Sequence, residues 1–241
     1  MPAAVPGRVE GGPVYENSPL RPAPVGPFVY RRCTKALDLL ESLRMGGWEA
    51  AVGKVFVHVT MSLDGFVAGA DPSPEQPMGA GGMRLHDWVF KASASDVDTE
   101  VIQELFGTTG AVILGRRTFD VGLGAWEDTP FPVPCFVLTH RGRDQLPMRS
   151  GTFTFVTDGI HSALRRAQAA ARGRHINLMG ADVTQQYLRA GLVDEVQLQL
   201  SPVLLGSGKR LFEHLGTGLE LERTGVAESP YVTHLRYRVV K

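Results

Sequence analysis

The feature that most constrains the fold is a short apolar run that breaks at a single glycine. Residues 111–114 are too few for a helix and are apolar at consecutive positions, which is typical of a strand buried on both faces of a parallel sheet. Neighbouring parallel strands need crossover connections, which are usually helices, so this run predicts an α/β fold. Gly115 follows the run, and Arg116 and Arg117 then open a predicted helix.

The same strand end is a candidate anion site. The first N–H groups of a helix lack partners within the helix and lie at the positive end of its dipole. Gly115 permits close approach of the backbone, and Arg116 and Arg117 add two permanent positive charges. Open α/β sheets bind ligands at the carboxyl ends of their strands, so we expect a phosphate-bearing cofactor here. The alternative is an ordinary turn between strand and helix with solvated arginines.

Short apolar runs and helical segments alternate through residues 54–241, which we predict to form one α/β domain. The last two strands are joined near Glu228 and are predicted to form an antiparallel hairpin. The predicted strands are 55–60, 111–114, 135–138, 152–156 (an edge-type strand), 175–179, 195–200, 219–227 and 232–240. The predicted helices are 95–106, 159–172, 184–190 and a short one at 209–215. Asp182, with Gln185 three residues later, has the form of a capping box.

Two segments fall outside this alternation. Residues 1–53 are crowded with Pro, Gly, Ala and Val, and we predict a partly disordered leader that carries no chemistry and has one short helix at 35–44. Residues 70–91 contain three prolines and several glycines, and their length marks a functional flap or an unstructured loop. Trp88 and Phe90 are too apolar for a free loop, so we expect them to cover a pocket.

Composition narrows the possible functions. The chain has 25 Lys and Arg and 25 Asp and Glu, which argues against a nucleic-acid or membrane-surface protein that acts through a bulk basic field. Cys33 and Cys135 are too few for a disulfide framework or a zinc ribbon, so we expect a cytoplasmic protein in a reducing compartment. The sequence contains no apolar run long enough to span a membrane.

Metal-binding patterns are also missing from the sequence. The seven histidines form no HExxH motif and no close ligand pair, so no metal is predicted. Zinc deaminases carry a Pro-Cys-x-x-Cys motif, and Cys135 follows Pro134 here without a second cysteine three residues on.

Six motifs occur in an order that resembles a known family. The chain from about residue 54 to 241 is similar to the dihydrofolate-reductase-like superfamily, in the branch that contains the reductase domain of bifunctional riboflavin biosynthesis proteins. The motifs are Met61-Ser-Leu-Asp-Gly65, Leu114-Gly-Arg-Arg-Thr-Phe119, Leu138-Thr-His-Arg141, Gly180-Ala-Asp-Val183, Gly191-Leu-Val-Asp-Glu195 and Pro202-Val-Leu-Leu-Gly-Ser-Gly208. The resemblance implies a three-layer α/β fold with a mostly parallel central sheet, NADPH bound across the strand ends, and a homodimer.

The resemblance also assigns cofactor contacts to three of these motifs. Residues of the motif Leu114–Phe119 would hold the pyrophosphate or the adenosine 2′-phosphate. Residues of Leu138–Arg141 would meet the adenosine ribose and its phosphate. Residues of Gly180–Val183 would approach the pyrophosphate with backbone N–H groups. The implied residues are Gly115, Arg116, Arg117 and Thr118, then Thr139, His140 and Arg141, then Gly180, Ala181, Asp182 and Val183. Polar caps on a strand end and a helix start are the structural alternatives. Asp182 would repel a phosphate, so its side chain is assigned to helix capping.

The proton donor and the substrate contacts are less specified. The resemblance places Asp64, at the end of the first strand, near the nicotinamide, which makes it the first candidate for the catalytic acid; a plain Asp-Gly turn is the alternative. Asp98 and Glu100 lie where folate reductases place their carboxylate, and nothing in the sequence selects one of them. Ser62 and Trp88 are candidate substrate contacts. Trp88 and Phe90 could stack on a planar heterocycle and Trp126 could line the cofactor cleft, with core packing as the alternative for at least two of the three.

Two functions are consistent with these residues. The first is an NADPH-dependent reductase that transfers a hydride to a small heterocyclic substrate (a pteridine, a pyrimidine or similar) or to a carbonyl. It would be related to the 5-amino-6-(5-phosphoribosylamino)uracil reductase step of riboflavin biosynthesis. The alternative is a non-catalytic module on the same fold that binds or senses a nucleotide or a flavin. Neither function calls for a nucleic acid or a membrane.

Overall fold

The computed structural model describes residues 53–216 and 218–241, so the predicted leader helix at 35–44 lies outside the described residues. The strands are β1 (Val55–Ser62), β2 (Phe66–Ala68), β3 (Thr109–Gly115), β4 (Cys135–Leu138), β5 (Leu146–Pro147), β6 (Thr152–Val156), β7 (His175–Met179), β8 (Glu195–Ser201), β9 (Lys209–Arg210), β10 (Leu221–Glu228) and β11 (Thr233–Val239). The α-helices of this part are α1 (Asp87–Phe90), α2 (Asp96–Thr108), α3 (Arg116–Trp126), α4 (Ile160–Ala171) and α5 (Ala181–Arg189).

A mostly parallel sheet forms the centre of the fold. Its strand order is β10-β11-β8-β1-β7-β3-β4-β6-β5, and the six strands from β8 to β6 run parallel. The carboxy-terminal hairpin β10–β11 adds to β8 in antiparallel sense, and the short β5 pairs with β6 in the same sense. Strands β2 and β9 form a separate two-stranded sheet. The predicted α/β fold is therefore confirmed.

Strand β3 lies in the middle of this sheet because both of its faces are apolar. Val112 and Leu114 pack with Phe119 of α3 and with Phe153 on one side of the sheet. Ile113 and Ala111 belong to the core on the other side, beneath helices α4 and α5. Full burial of a Val, Leu or Ile side chain stabilises the folded state by roughly 1.5–3 kcal/mol. A strand that is apolar on both faces is therefore most stable between two helical layers.

Three local predictions were wrong. Residues 209–215 do not form a helix; Lys209–Arg210 is strand β9, because its backbone pairs with Phe66 and Ala68 of β2. Helix α5 begins at Ala181, three residues earlier than predicted, after Gly180 at φ 94°. Strand β6 is not at the edge of the sheet, since β5 pairs beside it.

The capping box predicted for α5 is absent. Gly180 is the N-cap residue, and the helix start has no side-chain cap bond among the described residues. Asp182 therefore stands inside the first turn, where its Oδ1 lies 2.6 Å from Nζ of Lys209. This ion pair, rather than a backbone N–H group, holds the Asp182 carboxylate.

Two kinds of feature are absent from residues 53–216 and 218–241. This part of the chain has no helix with the length and apolar content needed to cross a membrane. It also contains no group of three or more His, Cys, Asp or Glu side chains arranged to hold a metal ion.

Candidate active site

The carboxyl ends of three parallel strands bring the predicted cofactor segments to one edge of the sheet. Strand β3 pairs in parallel with β4 on one side and with β7 on the other. Their last residues are Gly115, Leu138 and Met179, so the three motifs that follow these strands meet at the same edge. This is the edge at which open α/β sheets bind ligands.

A groove of about 360 Å³ lies at this edge and contains part of the predicted set. Arg116, Thr139, His140 and Arg141 line it together with Gln186 of α5. The Thr139 hydroxyl accepts a hydrogen bond from the backbone N–H of Arg141 at 3.0 Å, which fixes the turn that presents His140 and Arg141. The groove thus offers two arginines and a histidine to an anionic ligand.

The side chain of Arg116 is held at the groove wall. Its Nε donates to Oδ1 of Asp120, one helical turn later, at 2.8 Å. That contact uses only one of the nitrogens of the guanidinium, so other N–H groups remain for a phosphate. Arg117 is exposed and does not line the groove, and its predicted cofactor contact stays a prediction.

The starts of helices α3 and α5 lie against each other. A Cβ atom at Gly180 would lie 2.4 Å from Oγ1 of Thr118, and one at Gly115 would lie 3.3 Å from Cγ2 of Val183. Both helices begin at glycine without a side-chain cap among the described residues. Two sets of unpaired backbone N–H groups therefore face the strand ends, the arrangement that binds phosphate groups.

The side chains at the start of α5 leave its backbone available. Ala181 and Val183 are buried, so they would contribute backbone groups only. The charge of Asp182, which would repel a phosphate, is compensated by Lys209. The backbone contact of this motif with a cofactor stays a prediction, and the capping role of the Asp182 side chain was wrong.

The side chain of Asp64 binds the loop that follows β8. Its carboxylate accepts hydrogen bonds from the Ser62 hydroxyl at 2.6 Å and from the backbone N–H groups of Leu205 and Gly206 at 3.1 and 2.7 Å. These contacts, the Ser62 hydroxyl foremost, lower the pKa of Asp64 to about 2. A carboxyl group with so low a pKa carries no proton near neutral pH, and these contacts therefore argue against Asp64 as the proton donor. That role stays a prediction.

The Ser62 hydroxyl forms its hydrogen bonds within the same turn. Besides donating to Asp64, its hydroxyl accepts a hydrogen bond from the backbone N–H of Phe66 at 2.9 Å, and the residue is fully buried. A contact between Ser62 and a substrate stays a prediction.

The aromatic candidates occupy different environments. Trp88 is buried, and its indole Nε1 donates to Oγ1 of Thr60 at 2.9 Å. Phe90 is 47% exposed at the end of α1. Trp126 stacks on Phe153 with the ring centroids 6.5 Å apart and packs in the core, the alternative weighed for it. Trp88 therefore lies beside the end of β1.

The two remaining carboxylates, Asp98 and Glu100, differ in their exposure to solvent. Glu100 is exposed, whereas the side chain of Asp98 is 0% exposed and its Oδ1 lies 2.7 Å from Nε2 of His234, whose side chain is 3% exposed. Sequence reasoning did not single out His234. The available signal was the alternation of polar and apolar residues in β1, β8 and β11, which places His58, Thr60 and His234 on one face of the sheet.

A family model and one curated relative match this chain. The model of the RibD C-terminal domain matches residues 53–235. The uncharacterized protein YwjB of Bacillus subtilis (strain 168) is 24% identical over 188 residues, which span 76% of this chain and 97% of that protein.

Solved structures share the fold. A putative riboflavin biosynthesis protein from Shewanella sp. PV-4 is 22% identical with a TM-score of 0.62, over 78% of this chain and 99% of that one. The Thermotoga maritima diaminohydroxyphosphoribosylaminopyrimidine deaminase/5-amino-6-(5-phosphoribosylamino)uracil reductase is 13% identical with a TM-score of 0.55, over 78% and 57%. Dihydrofolate reductase from Enterococcus faecalis, complexed with NADP(H), is 14% identical with a TM-score of 0.52, over 79% and 99%. The sheet order, the strand-end motifs and the match over residues 53–235 lead to one conclusion: the chain belongs to the RibD C-terminal domain family.

Proposed function

We propose that this protein is an NADPH-dependent reductase of a small heterocyclic or carbonyl substrate. The observation that carries the proposal is the convergence of Arg116, the turn Thr139–Arg141 and the uncapped starts of α3 and α5 at one sheet edge. Family membership supports it, because related chains include a 5-amino-6-(5-phosphoribosylamino)uracil reductase and share their fold with dihydrofolate reductase.

The residues at the edge fit the cofactor in charge and in space. Arg116, His140 and Arg141 would bind the 2′-phosphate of the adenosine ribose, and the close packing of Gly180 on Thr118 leaves the backbone of α5 near the pyrophosphate. The bound cofactor supplies the hydride. The protein must then orient the acceptor, exclude water and provide a proton.

Among the three carboxylates considered for that proton, Asp98 has the most suitable environment. Asp64 is held ionised by three hydrogen bonds, and Glu100 is exposed. Asp98 is buried, and its Oδ2 has no hydrogen-bond partner among the described residues. A non-catalytic nucleotide-binding module would use the same groove but would have no role for such a carboxylate.

The first experiment measures cofactor binding by titration calorimetry with NADPH and NADH. Arg116→Ala and Arg141→Ala should each weaken NADPH binding by about 10- to 100-fold, because each removes a charge-assisted contact of roughly 1.5–3 kcal/mol. NADH lacks the 2′-phosphate, so its weaker binding should change less.

Arg143→Ala is the matched control for this binding experiment. Arg143 lies two residues from Arg141, its guanidinium is over the Phe155 ring, and it does not line the groove. Equal losses in all three variants, or equal affinity of the wild type for NADPH and NADH, would contradict the assignment of the groove.

The second experiment follows NADPH oxidation with 5-amino-6-(5-phosphoribosylamino)uracil and dihydrofolate as probe substrates. Asp98→Asn should abolish turnover of whichever probe is reduced and leave NADPH affinity unchanged, since the carboxylate supplies a proton and does not line the cofactor groove. Reduction of neither probe by the wild type, with NADPH still bound, would favour the non-catalytic module.

A further inference from the structure

Strands β1, β8 and β11 present a buried polar row to helix α2. Thr60 lies beside Gln199, and Gln199 lies beside His234, in the register of the three strands. All three residues are buried. On the opposite face, the preceding positions of β1 and β8 hold Val59 and Leu198, which belong to the apolar core. Buried polar groups destabilise a fold unless they are paired, so a polar row inside a sheet calls for a functional explanation.

Helix α2 places the carboxylate of Asp98 next to His234, at the end of this row. Oδ1 of Asp98 and Nε2 of His234 are 2.7 Å apart, and one proton lies between them whichever group carries it, because a carboxylate can only accept. Ser95 caps the helix by accepting from the backbone N–H of Asp98 at 3.3 Å, so the position of this residue is fixed from both sides. Oδ2 of Asp98 and Nδ1 of His234 have no partner among the described residues.

A residue of the flap at 70–91 lies across the same row. The Trp88 indole donates to Thr60 and meets the His234 ring edge-on, with the centroids 5.2 Å apart. Thr60 stands two residues before the end of β1, the end that faces the cofactor segments. Trp88 therefore lies beside the Asp98–His234 pair near that end of β1.

We propose that His234 is a positioning residue for the reduction, holding Oδ1 of Asp98 so that Oδ2 gives a proton to the substrate when Trp88 moves aside. This inference rests on the proposed function. The acceptor carbon of a C=O or C=N bond takes the hydride from NADPH, and the π electron pair moves to the heteroatom. The heteroatom takes a proton carried on Oδ2 of Asp98, while Oδ1 continues to accept the Nε2–H of His234. Asp98 regains its proton from water once Trp88 has moved and the product and NADP⁺ leave.

The groups that face the pair from the neighbouring elements add no net charge. Glu104 of α2 and Arg236 of β11 form a two-pronged ion pair with each other and so neutralise one another. His58 of β1 carries no charge near neutral pH, because burial lowers its pKa to about 4. From β8 the facing groups are Gln197 and Gln199, and from α1 the facing group is Trp88, all uncharged.

The test compares four proteins in NADPH oxidation with the two probe substrates. His234→Ala should lower kcat by about 100-fold and leave KM within about threefold, because general acid catalysis contributes on the order of 10²–10⁴-fold. Added imidazole should restore part of the rate. Asp98→Asn should lose at least as much, and the double variant should be no slower than Asp98→Asn, since His234 acts through Asp98. His58→Gln, a change to the other histidine on this face, should keep kcat.

The outcomes separate this inference from the function on which it rests. Unchanged kcat in His234→Ala, or losses that multiply in the double variant, would overturn the positioning role and leave the reductase standing. A wild type that binds NADPH and reduces neither probe would overturn the reductase and the positioning role with it. If His234→Ala does not fold, His234→Gln tests the same role, because its amide can still donate to Oδ1 of Asp98 but cannot transfer a proton. It should keep kcat within about threefold of the wild type, and a loss as large as that of Asp98→Asn would overturn the positioning role.

Discussion

At the scale of single residues, the environment of each carboxylate decides what it can do. Asp64 accepts three hydrogen bonds from donors fixed by the backbone and a nearby serine, and these stabilise its charged form. Among the described residues, the side chain of Asp98 has a single hydrogen-bond partner, His234, and both side chains are buried. Asp64, the first candidate for the acid in the sequence, is thus a structural anchor, and Asp98, one of the two alternatives, is the candidate acid.

The buried histidine of β1 makes stability depend on pH. Burial lowers the pKa of His58 to about 4, while the unfolded chain keeps a value near 6.5. Between these values the unfolded state binds a proton that the folded state does not, so stability is complete above the unfolded pKa and falls as pH decreases toward 4. We expect a loss on the order of 1–2 kcal/mol between about pH 7 and pH 5.

Urea unfolding of the wild type and His58→Gln at several pH values checks this dependence. The variant should lose less stability over the same range, and a residual slope should remain because burial also lowers the pKa of His86. The exposed His161→Gln serves as the control and should follow the wild type. A His58→Gln protein with the full pH dependence would show that His58 is not the group responsible.

At the scale of elements, the site is built from segment ends rather than from whole helices or strands. Helices α3 and α5 start side by side because Gly115 and Gly180 lack a Cβ that would meet Val183 or Thr118. The loop after β8 is tied back to the end of β1 by Asp64 and by the hydrogen bond from Arg210 to the Asp64 carbonyl. The packing of short segments therefore sets the geometry of the cofactor edge.

We expect Asp64→Asn to loosen the loop that Asp64 anchors. An asparagine side chain carries no charge and turns either an amide donor or a single oxygen toward the Leu205 and Gly206 N–H groups, so at least one of these bonds is weakened. Hydrogen exchange should become faster at those two amides and stay unchanged in β3. Asp71→Asn, at an exposed position of the flap, is the control. Unchanged protection at Leu205 and Gly206 would rule out the anchoring role.

At the scale of the whole molecule, the two edges of the sheet differ in length. The two-residue strand β5 forms one edge, while the eight-residue strand β10 forms the other and pairs only with β11 among the described strands. Strand β10 also carries the exposed apolar residues Leu221 and Val226, at 40% and 49%. An exposed strand edge with apolar side chains favours pairing with another chain, which supports the proposed homodimer.

Light scattering coupled to size exclusion tests the homodimer. The wild type should have twice the 26.2 kDa mass of the chain, and Val226→Lys should shift toward the mass of one chain, because a buried unpaired charge opposes association. Leu204→Lys alters an exposed apolar residue outside the hairpin and should keep the dimer mass. A wild type with the mass of a single chain would contradict the proposal.

The sequence by itself determined the central sheet and which motifs share one edge of it. An apolar run with two buried faces, such as residues 111–114, is stable only between two layers, so β3 had to be a central strand. Parallel strands also bring their carboxyl ends to one edge whatever the details of packing, so the motifs after β3, β4 and β7 could be grouped before the fold was known.

The tertiary structure alone decided which polar side chains meet across the sheet. His234 lies 136 positions after Asp98, and their contact depends on the register of β11 against β8 and on the rotation of α2 above them. A shift of one residue in that register would turn His234 to the opposite face. In the same way, backbone pairing with β2 made Lys209–Arg210 a strand, and Lys209 rather than a helix cap became the partner of Asp182. Local pattern specifies which residues are buried, whereas long-range pairing specifies which of them touch.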